Sequence, residues 1–266
     1  MGKGSKIEWT DDTFNIVHGC TKVSEACQFC YAELWDKRKL YSKEEPKETH
    51  WGPNASRLKL SPEYWEDPLK WNRQAERKGI KSKVFCSSMA DVFEAHPDLD
   101  SERIKLWHLI ENTPHLIWQL LTKRPENILK MIPTSWNQNF PKNIWAMTST
   151  ENQKRFDERV KYILDVPAVV RGFSCEPLLS AIVFGAAFAQ VDKSSLWVIT
   201  GGESSNGAAR VRVSNLDWFT GLRDQCLNLN IPFFFKQWGN RHENGAYDRN
   251  KSYRLLQGRE WNQFPS

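Results

Sequence analysis

The chain has 266 residues, of which 40% are hydrophobic, and it carries a formal net charge of +5 at pH 7. This length suits one large α/β domain or two small domains with buried cores. The longest apolar stretch, residues 181–189, is far shorter than the about 20 residues that cross a bilayer. The N-terminal residues MGKGSKIEWTDD lack an apolar signal core, so we expect a cytoplasmic protein without a membrane segment.

Aromatic residues are frequent and often stand beside basic ones. The chain contains 13 tryptophans, and examples of such pairs are Trp35-Asp-Lys-Arg, Lys70-Trp71 and Lys236-Gln-Trp238. Rings of this kind can stack on nucleobases, or they can fill the space between a sheet and its helices. The basic excess is small and suits a polyanionic partner without requiring one. Both interpretations stay open at this point.

Short apolar runs alternate with amphipathic segments along the chain. The runs predict strands at residues 15–19, 83–87, 117–121, 144–148, 169–174, 196–200 and 232–235. The amphipathic segments predict helices at residues 62–77, 101–111, 126–131, 153–164 and 216–228. Ser61-Pro62 and Asp100-Ser101 are typical helix starts.

The repeated strand–helix order predicts an α/β fold with parallel strands and right-handed crossovers. We expect a partial or near-complete (β/α) barrel, and an open doubly wound sheet is the alternative. Residues 1–238 are assigned to a single barrel domain, with a metal-binding loop at 18–32, and residues 239–266 to a C-terminal extension that packs on the barrel. The polar segment 41–57 is expected to be a surface excursion.

Polar and reactive side chains follow six consecutive predicted strands. In barrels, catalytic residues gather in the loops at the carboxyl ends of the strands. Here these loops contain Cys20 to Cys30, Cys86-Ser-Ser-Met-Ala-Asp91, Thr122-Lys-Arg-Pro125, Ser149-Thr-Glu-Asn152, Cys175-Glu-Pro177 and Gly201-Gly-Glu-Ser204. Helix capping accounts for residues such as Ser149, but it does not account for Lys123, Cys86 and Cys175 together.

Three of the six cysteines, Cys20, Cys27 and Cys30, lie within eleven residues. Clustered cysteines in a chain without a secretory signal more often bind metal or react than form disulfides. Thiolates suit an iron–sulfur cluster or zinc. Three thiolates leave one iron of a 4Fe–4S cluster open to another chelator, whereas a zinc ion would take His18 as its fourth ligand.

The segment Cys27-Gln-Phe-Cys30-Tyr resembles the second half of the radical-SAM signature. In that superfamily three cysteines bind a 4Fe–4S cluster, and its open iron takes the amino and carboxylate groups of S-adenosylmethionine (SAM). The first gap is six residues here, where the usual signature has three. The chain also resembles a phage- and plasmid-associated family of three-cysteine proteins, through the phrases IEWTDDTFN, HGCTKVSEACQFCYA, LLTKRPEN, SCEPLL, ITGGES and PFFFKQWG.

Within the superfamily, the loop pattern is most similar to that of the spore photoproduct lyase family of DNA-repair enzymes. Phe29 and Tyr31 flank the last cluster cysteine, as two aromatic residues do there. Cys86-Ser-Ser88 is similar to that family's Cys-x-Ser, in which the cysteine returns a hydrogen atom and the serine touches SAM. Strand alternation is expected to put Cys86 and Ser88 on one face, toward the cofactor.

The same resemblance implies further cofactor-binding residues. Lys123 and Ser149 stand where that family has a lysine and a serine that hold the methionyl carboxylate of SAM. Apart from the resemblance, Glu176 is a candidate for binding ribose hydroxyls because it lies at a strand end. Glu151 either contributes to the cofactor site or pairs with Arg155 four residues on. The family's Gly-Gly-Glu after the second strand is absent, and Gly-Gly-Glu follows the sixth strand instead, at residues 201–203.

The resemblance therefore implies a radical-SAM enzyme with Cys86 and Tyr31 as candidate catalytic residues. The reduced cluster passes one electron to SAM, which breaks into methionine and a 5′-deoxyadenosyl radical that abstracts a hydrogen atom from the substrate. We expect a nucleic acid or nucleotide substrate, in repair or modification, and an electron donor of flavodoxin or ferredoxin type. The alternative is a non-catalytic, zinc-stabilised nucleic-acid-binding protein that uses His18 and the three clustered cysteines.

Overall fold

The computed structural model describes residues 4–41, 49–204, 211–247 and 253–266. Their strands are β1 (Asp12–Phe14), β2 (Val17–His18), β3 (Leu58–Lys59), β4 (Ser82–Cys86), β5 (Leu116–Thr122), β6 (Ile144–Ser149), β7 (Val170–Cys175), β8 (Leu196–Gly201), β9 (Phe233–Gln237), β10 (Leu255–Leu256) and β11 (Arg259–Glu260). Their α-helices are α1 (Tyr31–Tyr41), α2 (Pro62–Trp65), α3 (Asp67–Lys78), α4 (Pro97–Glu111), α5 (Ile128–Met131), α6 (Gln153–Leu164) and α7 (Leu216–Asn228). In these ranges, no helix has the length and apolar character that crossing a membrane requires.

Seven strands form one sheet in the order β1-β4-β5-β6-β7-β8-β9. The pairs β1–β4, β4–β5, β7–β8 and β8–β9 are parallel. Neighbours in the sheet follow one another along the chain, as in a (β/α) barrel, whereas a doubly wound sheet reverses its strand order part-way. The predicted fold class, an α/β fold with a partial barrel of parallel strands, is confirmed.

The first sheet strand lies earlier than predicted. Strand β1 covers Asp12–Phe14, whereas Val17–His18 pairs antiparallel with Leu58–Lys59 in a separate two-stranded sheet. Phe14, Ile16 and Val17 are all fully buried, so the apolar pattern does not distinguish the two strands. The two strands differ only in their partners, because β1 pairs with β4 and β2 pairs with β3.

Two predicted helices match the structure, since α6 and α7 cover residues 153–164 and 216–228. The segment 62–77 instead forms two helices, α2 and α3, and Pro68 lies in the first turn of the second. Proline has no N–H to donate within a helix and is accepted in a first turn. This accounts for the break.

Two other helix predictions need correction, and one helix was not predicted. Helix α4 begins at Pro97 rather than at residue 101, because His96 caps it by accepting a hydrogen bond from the backbone N–H of Asp98 at 3.3 Å. Residues 126–131 form a 3-10 turn, Pro125–Asn127, followed by the short α5. Helix α1 was not predicted, because its sequence has no clear apolar stripe.

The chain divides into two compact units. The described parts of residues 1–23, 32–146 and 167–169 make up unit 1, and those of residues 24–31, 147–166 and 170–266 make up unit 2. In unit 1 the ring of Phe14 stacks on Tyr64, with centroids 4.9 Å apart, and meets Trp65 and Trp118 edge-on. At least these tryptophans fill the space between strands and helices.

In unit 2, phenylalanines bridge the strands and their helices. Phe156 of α6 lies 5.8 Å from Phe173 of β7, and Phe219 of α7 lies 5.4 Å from Phe235 of β9. The described end of the chain runs along β9, where the backbone N–H of Gln263 donates to the carbonyl of Phe233 at 3.1 Å. The domain boundary at residue 238 stays a prediction.

Candidate functional site

In unit 1, the loops that follow β1 and β4 are joined by Asn15. This fully buried residue directly follows β1. Its Nδ2 lies 3.2 Å from Ser88 Oγ, and its Oδ1 accepts the backbone N–H of Met89 at 2.7 Å. Its own backbone N–H donates to the hydroxyl of Tyr64 at 3.0 Å. Asn15 therefore holds Ser88 in place. The sequence signal for this role was a polar residue at the end of a buried strand.

The structure places Cys86 on a different face from the one expected. In the strand register Cys86 is paired with Phe14 and Leu120, and paired residues of parallel strands point to the same side. Phe14 packs against Tyr64 and Trp65 of α2, so Cys86 faces the helix layer. Its thiol is fully buried, and burial raises its pKa to about 12.

A buried arginine lies beside Cys20. Arg124 Nη1 donates to Cys20 Sγ at 3.8 Å and to Asp91 Oδ2 at 2.9 Å, and its Nη2 donates to the carbonyl of Thr21 at 2.7 Å. The guanidinium thus has a fixed orientation toward the thiol. Sequence analysis missed Arg124, although it stands next to Lys123 in a loop that was singled out.

A second buried arginine supports the same loop. Arg57 Nη2 donates to Glu94 Oε1 at 2.9 Å and to Thr21 Oγ1 at 3.0 Å, and its side chain is fully buried. Glu94 also accepts the backbone N–H of Thr21 at 2.8 Å and lies 3.5 Å from Arg124. Residues 42–48 lie outside the described residues, but burial of Arg57 and of Trp51 corrects the expectation that the whole segment 41–57 is a surface excursion.

The environment of Cys20 keeps its thiol protonated. Burial, together with the charges of Asp91 and Glu94, raises the pKa of the Cys20 thiol to about 12, and Arg124 opposes this rise. A metal ion binds thiolates, so metal binding at Cys20 would displace this proton.

Asp91 orders the loop that carries Lys123. Its Oδ1 accepts the hydroxyl of Thr122 at 2.6 Å and the backbone N–H of Phe93 at 3.0 Å. Its Oδ2 accepts the backbone N–H of Lys123 at 3.0 Å. Unit 1 therefore brings together the loops that contain Cys20, Asp91 and Lys123, and the Lys123 side chain is half-buried.

In unit 2, Cys27 ends a short 3-10 helix, Glu25–Cys27. Its Sγ lies 3.8 Å from Ser24 Oγ. Both Cys27 and Cys30 are half-buried, and neither forms a disulfide. The ring of Phe29 lies under the guanidinium of Arg212, 5.3 Å from its centroid, and Tyr31 is 48% exposed.

The expected pairing of Glu151 with Arg155 is wrong. Arg155 Nε donates to Glu25 Oε2 at 3.0 Å, and its Nη1 donates to Glu158 at 2.7 Å. Glu151 is fully buried and accepts from Arg159 Nη1 at 2.8 Å. Glu151 precedes α6, which begins at Gln153, so the i,i+4 spacing of a helix does not apply to it, and its burial brings it to the deeper arginine.

The remaining strand-end candidates have different surroundings. Ser149 is buried at the end of β6, and its carbonyl accepts from Arg159 at 2.8 Å. Glu176, directly after β7, is half-buried and pairs with Lys236 at the end of β9, at 2.7 Å. A Cβ at Gly201 would lie 3.2 Å from Glu176 Cδ, so this glycine leaves room for the pair. Sequence analysis missed the role of Lys236.

Cys175 occupies a structural position. It is fully buried in register with Thr200, which is itself paired with Phe235. Because Phe235 packs on α7, this face is covered by helix. The thiol lies 3.3 Å from Thr150 Oγ1, and burial raises its pKa to about 12.

The three clustered thiols have the donor chemistry of an iron–sulfur site. Soft thiolates are the ligands of such clusters, and none of Cys20, Cys27 and Cys30 is in a disulfide. Within the described ranges, no group of three or more His, Cys, Asp or Glu side chains is arranged to hold a metal ion. The fit of the three thiols to an iron–sulfur cluster therefore rests on their donor chemistry alone.

A family model decides the classification. The model described as "Protein of unknown function (DUF5131)" matches residues 4–265. The chain belongs to the DUF5131 family. No curated protein matches its sequence. The association with phages and plasmids stays a prediction for this DUF5131 member.

Solved structures of spore photoproduct lyase have a similar fold. A doubly substituted variant with bound AdoMet and dinucleoside spore photoproduct is 12% identical, with a TM-score of 0.50 over 75% of this chain and 58% of that chain. Two singly substituted variants have TM-scores of 0.47, identities of 11% and 12%, and the same coverage of 76% and 58%. The chain thus spans less than two thirds of the lyase chain, and at this identity the likeness shows the fold alone.

Proposed function

We propose that this protein is a radical-SAM enzyme in which Cys20, Cys27 and Cys30 hold a 4Fe–4S cluster. The observation that carries the proposal is the position of Cys20, in the connection after the first strand of a partial (β/α) barrel. The fold is similar to that of an enzyme with bound AdoMet. When bound, the cluster supplies the electron that cleaves SAM reductively, and an external donor of flavodoxin or ferredoxin type would supply that electron.

The residues of this chain have separate roles in the proposal. Ser88 and Ser149 would donate hydrogen bonds from their hydroxyl groups to SAM, and the Lys123 ammonium would pair with its carboxylate. The loops of Ser88 and Lys123 are ordered by Asn15 and Asp91, which supports a pre-formed binding surface. These assignments keep the roles that the resemblance implies.

Aromatic and acidic candidates complete the assignment. Phe29 and Tyr31 flank Cys30 as packing surfaces beside the cofactor, and Glu176 accepts from ribose hydroxyls. Glu151 is left out because its carboxylate is fully buried, whereas that of Glu176 is half-buried. Cys86 is left out because its thiol faces the α2 layer.

The substrate we propose is a nucleic acid or nucleotide. The similar lyase structure holds a dinucleoside photoproduct, and the net charge of +5 suits a polyanion. In the proposed radical chemistry, repair and modification of a base would both begin with hydrogen abstraction, and the products distinguish them. Incubation of the reconstituted enzyme with ultraviolet-treated and untreated DNA, followed by mass spectrometry, is the test of this class. Absence of turnover on both would overturn the substrate assignment.

The metal content of four variants tests the cofactor. Cys20→Ala, Cys27→Ala and Cys30→Ala, purified and reconstituted without oxygen, are each expected to lose bound iron and sulfide. His18→Ala is the matched control and is expected to retain both, because the proposed cluster does not use the His18 imidazole as a ligand. Zinc that depends on His18, without iron, would support the zinc-stabilised alternative instead.

SAM affinity tests the lysine. Lys123→Ala is expected to weaken SAM binding about tenfold or more, because a charge-assisted contact contributes roughly 1.5–3 kcal/mol. Lys130→Ala, at an exposed position of α5, is the control and should leave binding unchanged. Titration followed by electron paramagnetic resonance measures both. Equal affinities would remove Lys123 from the SAM site.

A further inference from the structure

The Gly201-Gly202-Glu203 motif after β8 has no role in the proposed function, although it lies at a strand end. A Cβ at Gly202 would lie 2.1 Å from the carbonyl oxygen of Trp238, and one at Gly239 would lie 2.2 Å from that of Glu203. Gly239 also has a φ of +76°, which favours glycine. The two glycines therefore let the backbones meet, and the position of Glu203 is set by this contact.

The Glu203 carboxylate holds one arginine. It is 4% exposed, and its Oε2 accepts both the backbone N–H and the Nε–H of Arg212 at 2.9 Å. Its Oε1 accepts from Nη2 of the same residue. A carboxylate that meets the guanidinium along one edge fixes the plane of the group. The opposite edge of the Arg212 guanidinium is left for other contacts.

That opposite edge meets the segment that carries two of the clustered cysteines. Arg212 Nη1 donates to the carbonyl of Glu25 at 3.0 Å, and the guanidinium lies over the ring of Phe29 at 5.3 Å. Both are contacts of the kind that hold a chain segment, a charge-assisted hydrogen bond and a cation–π interaction. They lie on either side of Cys27, and Phe29 directly precedes Cys30.

A second arginine holds the same segment through the side chain of Glu25. Arg155 Nε and Nη2 donate to the two carboxylate oxygens of Glu25, at 3.0 and 3.2 Å. The Glu25 side chain is largely exposed, so this pair lies at the surface. Arg212 differs from Arg155 in that one of its own partners, the Glu203 carboxylate, is buried.

We propose that Arg212, oriented by Glu203, is a positioning residue that pre-arranges residues 25–29 for metal binding by Cys27 and Cys30. The inference rests on the proposed function, because it assigns the purpose of the arrangement to the cluster. A segment already held in place need not be ordered when its ligands engage the metal. Loss of the anchor therefore lowers metal affinity and exposes the two thiols more often.

Two measurements on the full chain test this inference. Cobalt(II) titration of reduced, metal-free protein, followed by thiolate-to-metal charge-transfer absorbance, is expected to show about tenfold weaker binding for Arg212→Ala. Alkylation of the metal-free protein, read by peptide mass spectrometry, is expected to be about tenfold faster at Cys27 and Cys30 and unchanged at Cys20, because local opening exposes buried groups. Arg212→Lys, which keeps the charge without the planar fork, should be intermediate.

Arg223→Ala is the matched control, because Arg223 is a half-buried arginine of α7 that pairs with Asp224. It should leave cobalt affinity and alkylation unchanged. Urea unfolding of each variant separates a local change from a global one. If Cys27 and Cys30 of Arg212→Ala are alkylated at the wild-type rates, the positioning role is overturned, whether or not the protein binds metal. A wild-type chain that binds neither cobalt nor iron through its thiols would instead overturn the proposed function, and the alkylation result would still decide the role of Arg212.

Discussion

The surroundings of Cys20 in unit 1 differ from those of Cys27 and Cys30 in unit 2. Cys20 lies beside Arg124, within a network of two arginines and two carboxylates whose side chains are at most 10% exposed. The segment around Cys27 is held by Arg155 and Arg212, whose side chains are 18% and 28% exposed. Both regions use arginine to hold a cysteine-bearing loop, but at different depths.

The difference in depth has an energetic consequence. Removal of one member of a buried ion pair leaves an uncompensated charge and costs about 3–5 kcal/mol, whereas an exposed pair contributes about 0–1 kcal/mol. We therefore expect the Cys20 loop to be tied to the global stability of its unit. The Cys27 segment should open locally, at a lower free energy than global unfolding.

The largest expected effect comes from Arg57→Ala. It leaves Glu94 buried without its main partner, so the free energy of unfolding should fall by about 3–5 kcal/mol. Lys70→Ala, which breaks the exposed pair with Asp67, is the control and should cost less than about 1 kcal/mol. Urea unfolding measures both. Similar losses for the two variants would contradict the distinction between buried and exposed pairs.

A second test concerns the close backbone contact between Gly202 and Trp238, which sets the position of Glu203. Gly202→Ala places a Cβ against the carbonyl of Trp238, which cannot move as a side chain would, and should cost about 1–3 kcal/mol or more. Gly221→Ala in α7, where a Cβ meets nothing within 4 Å, should stabilise the protein by about 0.5–1 kcal/mol. Thermal unfolding compares them, and a neutral Gly202→Ala would show that Glu203 is not fixed by this contact.

Cys86→Ala tests a residue of unit 1 to which the resemblance assigns a catalytic role. Its thiol is buried against the α2 layer, so we expect a loss of about 1 kcal/mol of stability with cluster content, SAM cleavage and DNA products unchanged. Metal analysis and product mass spectrometry check this against wild type. Adducts or altered products from the variant would restore Cys86 as the hydrogen donor.

The smallest expected effect is the pH dependence of the surface anchor. Arg155 lowers the pKa of Glu25 from 4.5 to about 2. A carboxyl whose pKa is lower in the folded state stabilises the fold above its unfolded pKa, and this contribution disappears as the pH falls toward the folded pKa. Wild type should therefore exceed Glu25→Gln in stability by less than about 1 kcal/mol near pH 6.

Thermal unfolding of the two proteins between pH 6 and pH 2 measures the effect. The difference between them should shrink below about pH 4.5 and vanish near pH 2. Added salt should reduce it at pH 6, because the pair is exposed. A difference that persists at pH 2 would show that Glu25 acts through something other than its charge.

The sequence determined the features that depend on local pattern. Short apolar runs located strands β4 to β9, and apolar spacing of 3.6 residues located helices α6 and α7. Their alternation predicted the parallel partial barrel. The spacing of Cys20, Cys27 and Cys30 marked the candidate metal site because metal-binding cysteines cluster along a chain. Such signals are contained in a window of neighbouring residues, so one sequence suffices to find them.

Tertiary structure alone decided which partners these residues have. Arg124 reaches Cys20 across 104 positions of the chain, and Arg212 reaches Glu25 across 187. The face of Cys86 depended on the register of β1 with β4, and a strand that begins at Asp12 rather than at residue 15 changed its neighbours. Charge pairing and burial act through space, and neither leaves a periodic trace in the sequence. For that reason the arginines that hold the cysteine loops became visible only in the folded chain.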